Sequence, residues 1–412
     1  MLSSTGPLRR ELVRALPDRP FAVTFWDGTT VPATREGAPT FTVRSPSALA
    51  HVLRRPGELG IGRAYVAGLL DVDDVDAAIE VVTEWEPPAI PPADVARLGV
   101  AVVRATGLVR PPRVPEIELR QQGPLHSLAR DRSAVAYHYN AGNDFFALFL
   151  DPSMTYSMGI FSRGATTLEE AQETKLELVC TKLGLQPGQR VLDVGCGWGA
   201  FAIHAARHHG VQVLGITLAE EQAALARERV AAAGLTDQVE IRLADYRELH
   251  DAPFDAISSI GMVEHVGEAQ IDVYAAQLFR MLKPGGRLLN HGIAQLRHEE
   301  DDGYEPDANA FSERYVFPDG IPLHLSRVQL ALERAGLVTE HVEGFAQDYA
   351  DTITHWTARF DERYEDAVRI AGAQRARVWR VYLRAARRGF EQGDEAVYQV
   401  RARRPVEGQA TV

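Results

Sequence analysis

Apolar and polar positions change rhythm twice along this chain. Over residues 1–85, short alternating runs, "FAVTFWDGTTV" and "TFTVRS", lie among runs with apolar residues every three or four positions, "PSALAHVLRR" and "VDDVDAAIEVVTEW". The first kind predicts half-buried strands and the second amphipathic helices. Trp26-Asp27-Gly28 reads as a strand entering a turn. Together they predict a small N-terminal α+β domain. Prolines then take over. "EPPAIPPADV" and "RPPRVPEIEL" flank one apolar helix, "ARLGVAVVRATGL", which is the pattern of a linker over residues 86–125.

From residue 126 to 412 the rhythm is different again. "QRVLDVG", "VQVLGIT", "VEIRLAD", "FDAISSIG" and "GGRLLNHGI" are continuous apolar runs at fairly even spacing. Helical runs such as "EEQAALARERVAAAG" and "IDVYAAQLFRMLKPG" separate them. Strands alternating with helices predict a parallel, doubly wound (Rossmann-like) α/β sheet covered on both faces. Residues 354–403 read as mostly helical.

Composition removes several function classes. The chain has 412 residues, 45% of them apolar and 24% charged, so it can bury a large core without staples. Its two cysteines, Cys180 and Cys196, exclude a disulfide framework and point to a reducing cytoplasm. The first twenty residues lack the apolar run of a signal peptide. No stretch approaches the roughly 20 apolar residues that span a bilayer. A net charge of −12 argues against nucleic acid as a partner. Any membrane contact is therefore expected to be peripheral.

The candidate chemistry starts at "VLDVGCGWGAFAIHAA", residues 191–206. Glycines at 195, 197 and 199 follow a strand and precede a helix. A dinucleotide site would prefer G-x-G-x-x-G and an acid closing the second strand, but that strand ends in Gly215-Ile216-Thr217. A phosphate-binding loop would need Lys then Ser or Thr after its last glycine, and Trp198-Gly199-Ala200 supplies neither. The turn is either purely structural or holds a ligand without phosphates. S-adenosylmethionine (SAM), with a sulfonium, an amino acid tail and an adenosine, is such a ligand. Asp193 can orient the tail's ammonium. Asp245, at the end of the third strand, can accept from the adenine amino group. These carboxylates, with "LKPGG" at 282–286 before a later strand, favour the ligand. The expected sheet is then that of a class I SAM methyltransferase with helical additions.

On a series of linked motifs the chain resembles the cyclopropane fatty acid synthase family of SAM-dependent enzymes. They are "VAYHYNAGNDFFALFLDPSMTYSMGIF", "LDVGCGWG", "GITLAEEQ", "ADYREL", "GMVEHVG", "LLNHGI", "RYVFPDG" and "DYADTITHW". The resemblance covers about residues 130–403 and, more loosely, the N-terminal region. It implies that Tyr156 and Ser157 touch the SAM tail beside Gly195 and Gly197, that Thr217 and Gln222 take the ribose, and that Asp245 and Tyr246 lie by the adenine. It also implies a bicarbonate ion at the reaction centre, held by Glu264, His291 and Tyr349 with Ile293 offering backbone. Such enzymes add a carbon to the cis double bond of an acyl chain esterified in phospholipid. An alkene is a weak nucleophile and a sulfonium a strong electrophile, so alignment dominates. The cation formed must be shielded from water and lose a proton to a base, which bicarbonate can be. Glu264 facing an anion requires a shared proton.

The resemblance has one departure. The family usually carries a cysteine after Tyr-Ser, and this chain has Met158. A thioether cannot donate a hydrogen bond and a thiol can, weakly. Two products stay open: a cyclopropane, or a mid-chain methylene that a separate reductase converts to a methyl branch. The aromatics of "FFALF" and Tyr139 either face the cation or pack a core. The arginines of "RVWRVYLRAARRGF" either meet anionic headgroups or form a solvated, salt-bridged helix face. The expected partners are an unsaturated phospholipid and a membrane surface, at the inner face of the cell membrane, with a homodimer as one arrangement. A SAM methyltransferase for a soluble small molecule is the competing enzyme. A non-catalytic lipid or SAM binder is the competing non-enzyme, which Glu264, His291 and Tyr349 together argue against.

Overall fold

Four short strands, β1 (Ala22–Thr24), β2 (Thr30–Val31), β3 (Thr40–Val43) and β4 (Leu70–Val72), make a sheet in the order β2-β1-β3-β4. The computed structural model describes residues 5–86, 88–106, 113–120, 123–139, 141–296 and 310–406. The start of the second proline run lies outside them. The chain divides into two units. The first comprises residues up to 119 with segments 305–316 and 372–385, and holds this sheet. Gly28 adopts φ 79°, and the Thr29 N–H donates to Asp27 Oδ1 at 3.0 Å, which closes the turn between β1 and β2. The core gathers Leu8, Val23, Phe25, Val31, Val43 and Leu70. The helix Pro92–Thr106, expected within a linker, adds Ala101, Val102 and Ala105 to that same core, because these small residues share its buried face.

A buried ion pair ties this unit together. Arg63 donates to both oxygens of Glu118 at 2.7 and 2.6 Å, and the Tyr315 hydroxyl donates to Glu118 Oε2 at 2.7 Å. The Glu118 side chain is 1% exposed. Replacing Glu118 by alanine leaves a guanidinium largely out of water without its partner, so unfolding should ease by about 3–5 kcal/mol. Denaturant unfolding of the full chain checks this; a loss under ~1 kcal/mol would place the pair among solvent-screened ones. Arg377 donates to the Tyr65 and Leu70 carbonyls and to Asp71, and Arg384 to Asp76. Arg387 and Arg388 pair with Glu391. The salt-bridged reading of this arginine run thus describes these four side chains.

The second unit carries the larger sheet. Its strands are β5 (Arg190–Val194), β6 (Gln212–Thr217), β7 (Val239–Leu243), β8 (Phe254–Ile260), β9 (Leu282–Gln295), β10 (Leu323–His324), β11 (Val338–Gly344) and β12 (Glu395–Arg403). The order is β11-β12-β9-β8-β5-β6-β7, with β10 beside β9. β5 to β9 run parallel, while β12 is antiparallel to both β9 and β11. The apolar runs are continuous because both faces are covered. Leu192, Leu214, Ile257 and Leu288 enter the core on one face; Val191, Val213, Ala256 and Leu289 enter the core on the other.

The class is the α/β, doubly wound one expected, with one correction. Residues 354–392 are mostly helical as expected, but 395–403, within the span read as mostly helical, form a strand. Ala396, Val397, Val400 and Ala402 are buried in it and the sheet gains its antiparallel strand there. From β5 the parallel order runs outward both ways, to β6 and β7 on one side and β8 and β9 on the other. Such a reversal opens a crevice at the carboxyl ends of the strands, where open α/β sheets bind ligands.

Candidate functional site

The glycine turn begins this crevice. Gly195, Gly197 and Gly199 have φ of 79°, 52° and 83°, conformations that side chains rarely adopt. The N–H groups of Gly195 and Cys196 both donate to the Ile216 carbonyl at the end of β6. They are turned into the sheet, so this turn does not cradle phosphate. A Cβ on Gly195 would sit 2.6 Å from Met262 Cγ, whereas one on Gly197 would meet nothing within 4 Å. Gly195 therefore lets the chain pass Met262, and Gly197 leaves backbone facing open space.

That space is a cavity of about 1150 Å³, counted with its open mouth. Tyr156, Ser157, Asp193, Gly195, Gly197, Thr217, Gln222, Asp245 and Tyr246, the residues expected at SAM, all stand on its wall. Asp193 is 2% exposed and its Oδ2 has no hydrogen-bond partner among the described residues. Burial pushes its carboxyl up, against the attraction of the Lys175 ammonium. Lys175 is itself drawn down by burial and held by Asp151 and Asp193, and it donates to Ser157 Oγ at 2.8 Å. The Thr217 hydroxyl donates to Gln222 Oε1 at 2.9 Å. Asp245 is more fully engaged than expected: Arg247 binds it through Nε at 2.9 Å and Nη2 at 2.7 Å. Arg247 also bonds Asp131.

Aromatic rings close one side. Tyr156 stacks between His138 and Trp356, with ring centres at 5.6 and 5.3 Å. Phe146 lies 5.3 Å from Tyr156 and 5.2 Å from Trp198, and Tyr139 lies 5.7 Å from Trp198. Of "FFALF", Phe145, Phe146 and Phe149 are wholly buried in this cluster. Burial raises the Tyr139 hydroxyl to about 12, so it stays a neutral donor near pH 7. His265 is brought to about 4 by burial and stays uncharged.

The other candidates are not among the residues that line this cavity. Glu264, in the short turn after β8, accepts from the Ile293 N–H at 2.7 Å through Oε1. Its Oε2 is buried and has no partner among the described residues. Burial pushes its carboxyl up to about 7, against the backbone N–H groups of Ile293 and of Glu264 itself. Glu395 reaches about 7 as well, by burial and by repulsion from Asp394 and Glu264. His291 and Ile293 share a face of β9, being two residues apart. Burial, with Lys175 and Lys182 nearby, holds His291 well below the usual imidazole range, so it is neutral. Tyr349 packs on Phe390 at 4.6 Å and edge-on to Trp356 at 5.9 Å. Met158 is fully buried. The structure thus joins Glu264 to Ile293, sets His291 beside them on the strand, and reaches Tyr349 through Trp356 and Tyr156.

Several wall residues escape sequence reasoning: Lys175, Trp198, Met262, Arg247 and Asp131. Lys175 did leave a signal. In the helix Leu168–Leu183 the buried stripe runs Leu168, Ala171, Gln172, Lys175, Leu176, Val179, so a lysine stands where an apolar residue is due. Arg247 left none, since "ADYREL" gives no reason for one cation to bond both Asp245 and Asp131.

Comparison with known proteins gives a consistent result. Residues 126–400 match the family described as mycolic acid cyclopropane synthetase. The chain is 37% identical over 408 residues to a probable fatty acid methyltransferase of Mycobacterium tuberculosis, covering 95% of this chain and 93% of that one. It is 34% identical over 369 residues to the cyclopropane-fatty-acyl-phospholipid synthase of Escherichia coli K12, covering 89% and 88%. Its fold is similar to a crystal structure of a mycolic acid cyclopropane synthase complexed with SAH and CTAB. There the TM-score is 0.63 and the identity 32%, over 66% of this chain and 98% of that one.

Proposed function

Since the chain belongs to the mycolic acid cyclopropane synthetase family of SAM-dependent methyltransferases, we propose that it transfers a one-carbon unit to the cis double bond of an acyl chain held in a phospholipid. The observation that carries this reading is the convergence of nine expected SAM contacts on one cavity, with a buried carboxylate oxygen there in need of a donor. The 34% identity with the Escherichia coli synthase adds the phospholipid.

SAM, when bound, supplies an electrophilic methyl group. The chain's own residues bind and orient. Asp193 takes the ammonium of the amino acid tail, beside Tyr156 and Ser157. Thr217 and Gln222 take the ribose hydroxyls. Asp245 and Tyr246 line the adenine end, where two hydrogen bonds from Arg247 hold Asp245 in place. The rings of Tyr139, Tyr156 and Trp198 on the cavity wall, backed by buried Phe146, exclude water and offer electron-rich surface to the positive charge the acyl chain then carries.

Proton removal belongs to Glu264, His291 and Tyr349, which would hold a bicarbonate ion as the base. The orphaned Glu264 Oε2 fits such an ion, because a carboxyl near 7 retains a proton to share with an anion. The Ile293 N–H already serves Glu264, so its part is to hold that carboxyl. Met158 removes a weak donor from the same region. Proton loss from the transferred methyl closes a cyclopropane. When a hydride shift first moves the cation to the methyl-bearing carbon, loss of a proton from that same methyl gives instead a methylene for a separate reductase. Docking is peripheral, at the inner face of the cell membrane, and a dimer would let one subunit grip the bilayer while the other reacts. Among the described residues no helix is long and apolar enough to cross a membrane. Val95, Val100 and Val103 are exposed on the helix Pro92–Thr106 and give an apolar contact.

The test is direct. Purified protein is mixed with methyl-labelled SAM and vesicles of a cis-monounsaturated phospholipid, and the extracted acyl chains are weighed and read by NMR. Label in a chain one carbon heavier is expected, and the spectrum tells ring from methylene. An unlabelled lipid fraction would defeat the reading, and label appearing instead in a soluble acceptor would establish the competing enzyme.

A further inference from the structure

A row of polar side chains crosses the sheet of the second unit at one register. Strand pairing sets Gln399 of β12 opposite His291 of β9 on one side and opposite Glu343 of β11 on the other. Gln399 is wholly buried and His291 is 2% exposed. A buried amide and a buried imidazole have given up their water partners, so each is expected to satisfy the other.

The helix Leu168–Leu183 covers this row. Its Lys182 donates to Glu343 and, at 2.5 Å, to Gln399 Oε1. Seven residues earlier on the same helix, Lys175 reaches Ser157 on the SAM cavity. Lys182 decides the orientation of Gln399. An ammonium only donates, so the amide oxygen must face it. The amide nitrogen then faces His291, and Nε2 of Gln399 lies 3.2 Å from Nδ1 of His291. An amide nitrogen only donates as well, so Nδ1 must be the acceptor. The single proton of a neutral imidazole is left on Nε2.

We propose that Lys182 and Gln399 are positioning residues that hold His291 as its Nε2–H tautomer, with Glu343 anchoring Lys182. This rests on the reading above for its purpose. A small anion near Glu264 needs a donor from His291, and the opposite tautomer would turn a lone pair toward it. Glu343, on the edge strand β11, also accepts from Arg163 at 2.9 Å, so a continuous series of hydrogen bonds runs from the sheet edge through Lys182 and Gln399 to His291.

The experiment uses full-length protein labelled with ¹⁵N at histidine, with the His291 signals assigned by their loss in His291→Asn. Long-range proton–nitrogen correlation spectra should show Nδ1 bare and Nε2 protonated in the wild type. In Gln399→Glu an ionised carboxylate of the same shape can only accept, so the proton should move to Nδ1. Turnover should then fall by roughly ten- to a hundredfold, while the Kd for SAM holds. Lys182→Met should give a mixture of tautomers, and Lys182→Arg, which keeps a cationic donor, should restore the wild-type pattern. A wild-type spectrum with the proton on Nδ1, or a Gln399→Glu spectrum like the wild type, would overturn the proposal. The spectra need no turnover. Correct tautomers with no labelled lipid therefore defeat the reaction assigned above and leave the positioning intact.

Discussion

Replacing Glu264 by glutamine is expected to cut turnover by about 10²–10⁴-fold and leave SAM binding unchanged. The variant keeps an oxygen for the Ile293 N–H, so the turn after β8 holds its shape. What disappears is the proton that Glu264 exchanges near neutrality. Stopped turnover on vesicles together with calorimetric titration of SAM would measure both halves. Wild-type turnover in this variant would remove Glu264 from the reaction. The pH profile carries a second signature. If a shared proton is required, the wild-type rate declines as pH rises through about 7, where the buried carboxyl ionises. The glutamine variant lacks that limb. Stability moves in the same direction. A carboxyl raised from its ordinary 4.5 to about 7 binds its proton more tightly in the folded chain. The resulting stabilisation is complete below about 4.5 and is lost as pH rises through about 7. Denaturation midpoints of the variant should therefore vary less over that window than those of the wild type.

Asp193→Ala should weaken SAM binding by roughly ten- to 150-fold, the equivalent of about 1.5–3 kcal/mol for a hydrogen bond to a charged group. The side chain is buried at the cavity wall with Oδ2 unpartnered, and no other described carboxylate offers such an oxygen there. The same substitution removes one of the two carboxylates, Asp151 and Asp193, that support buried Lys175. It should therefore lower Tm as well as affinity. Adding Lys175→Met separates the two effects: the double variant should regain Tm, since no unpaired ammonium remains, and stay weak for SAM. Unchanged affinity in Asp193→Ala would mean that the tail of the ligand lies elsewhere. A double variant that recovers affinity would mean that the alanine acted only through the fold.

Much of the cavity wall was legible because its signals are local. Glycine turns, a strand-ending Asp193 and a third-strand Asp245 lie where a few residues of sequence decide their conformation. The Lys175 signal was equally local, one charged residue in an apolar helical stripe, and lay unread beside louder glycines. Glu264 and Ile293 are 29 residues apart, and nothing in "GMVEHVG" says which strand its carboxylate will meet. His291 and Gln399 are 108 apart.

The sequence alone determined the strands β5 to β9, the glycine turn and nine of the residues on the cavity wall. Periodicity and turn chemistry act over a few residues, so they can be read without knowing which distant segments meet. Only the tertiary structure decided that the tail of the chain returns as β12 between β9 and β11, and with it the neighbours of His291. Strand pairing joins segments a hundred residues apart, and its choice depends on which buried faces match once every other element is in place.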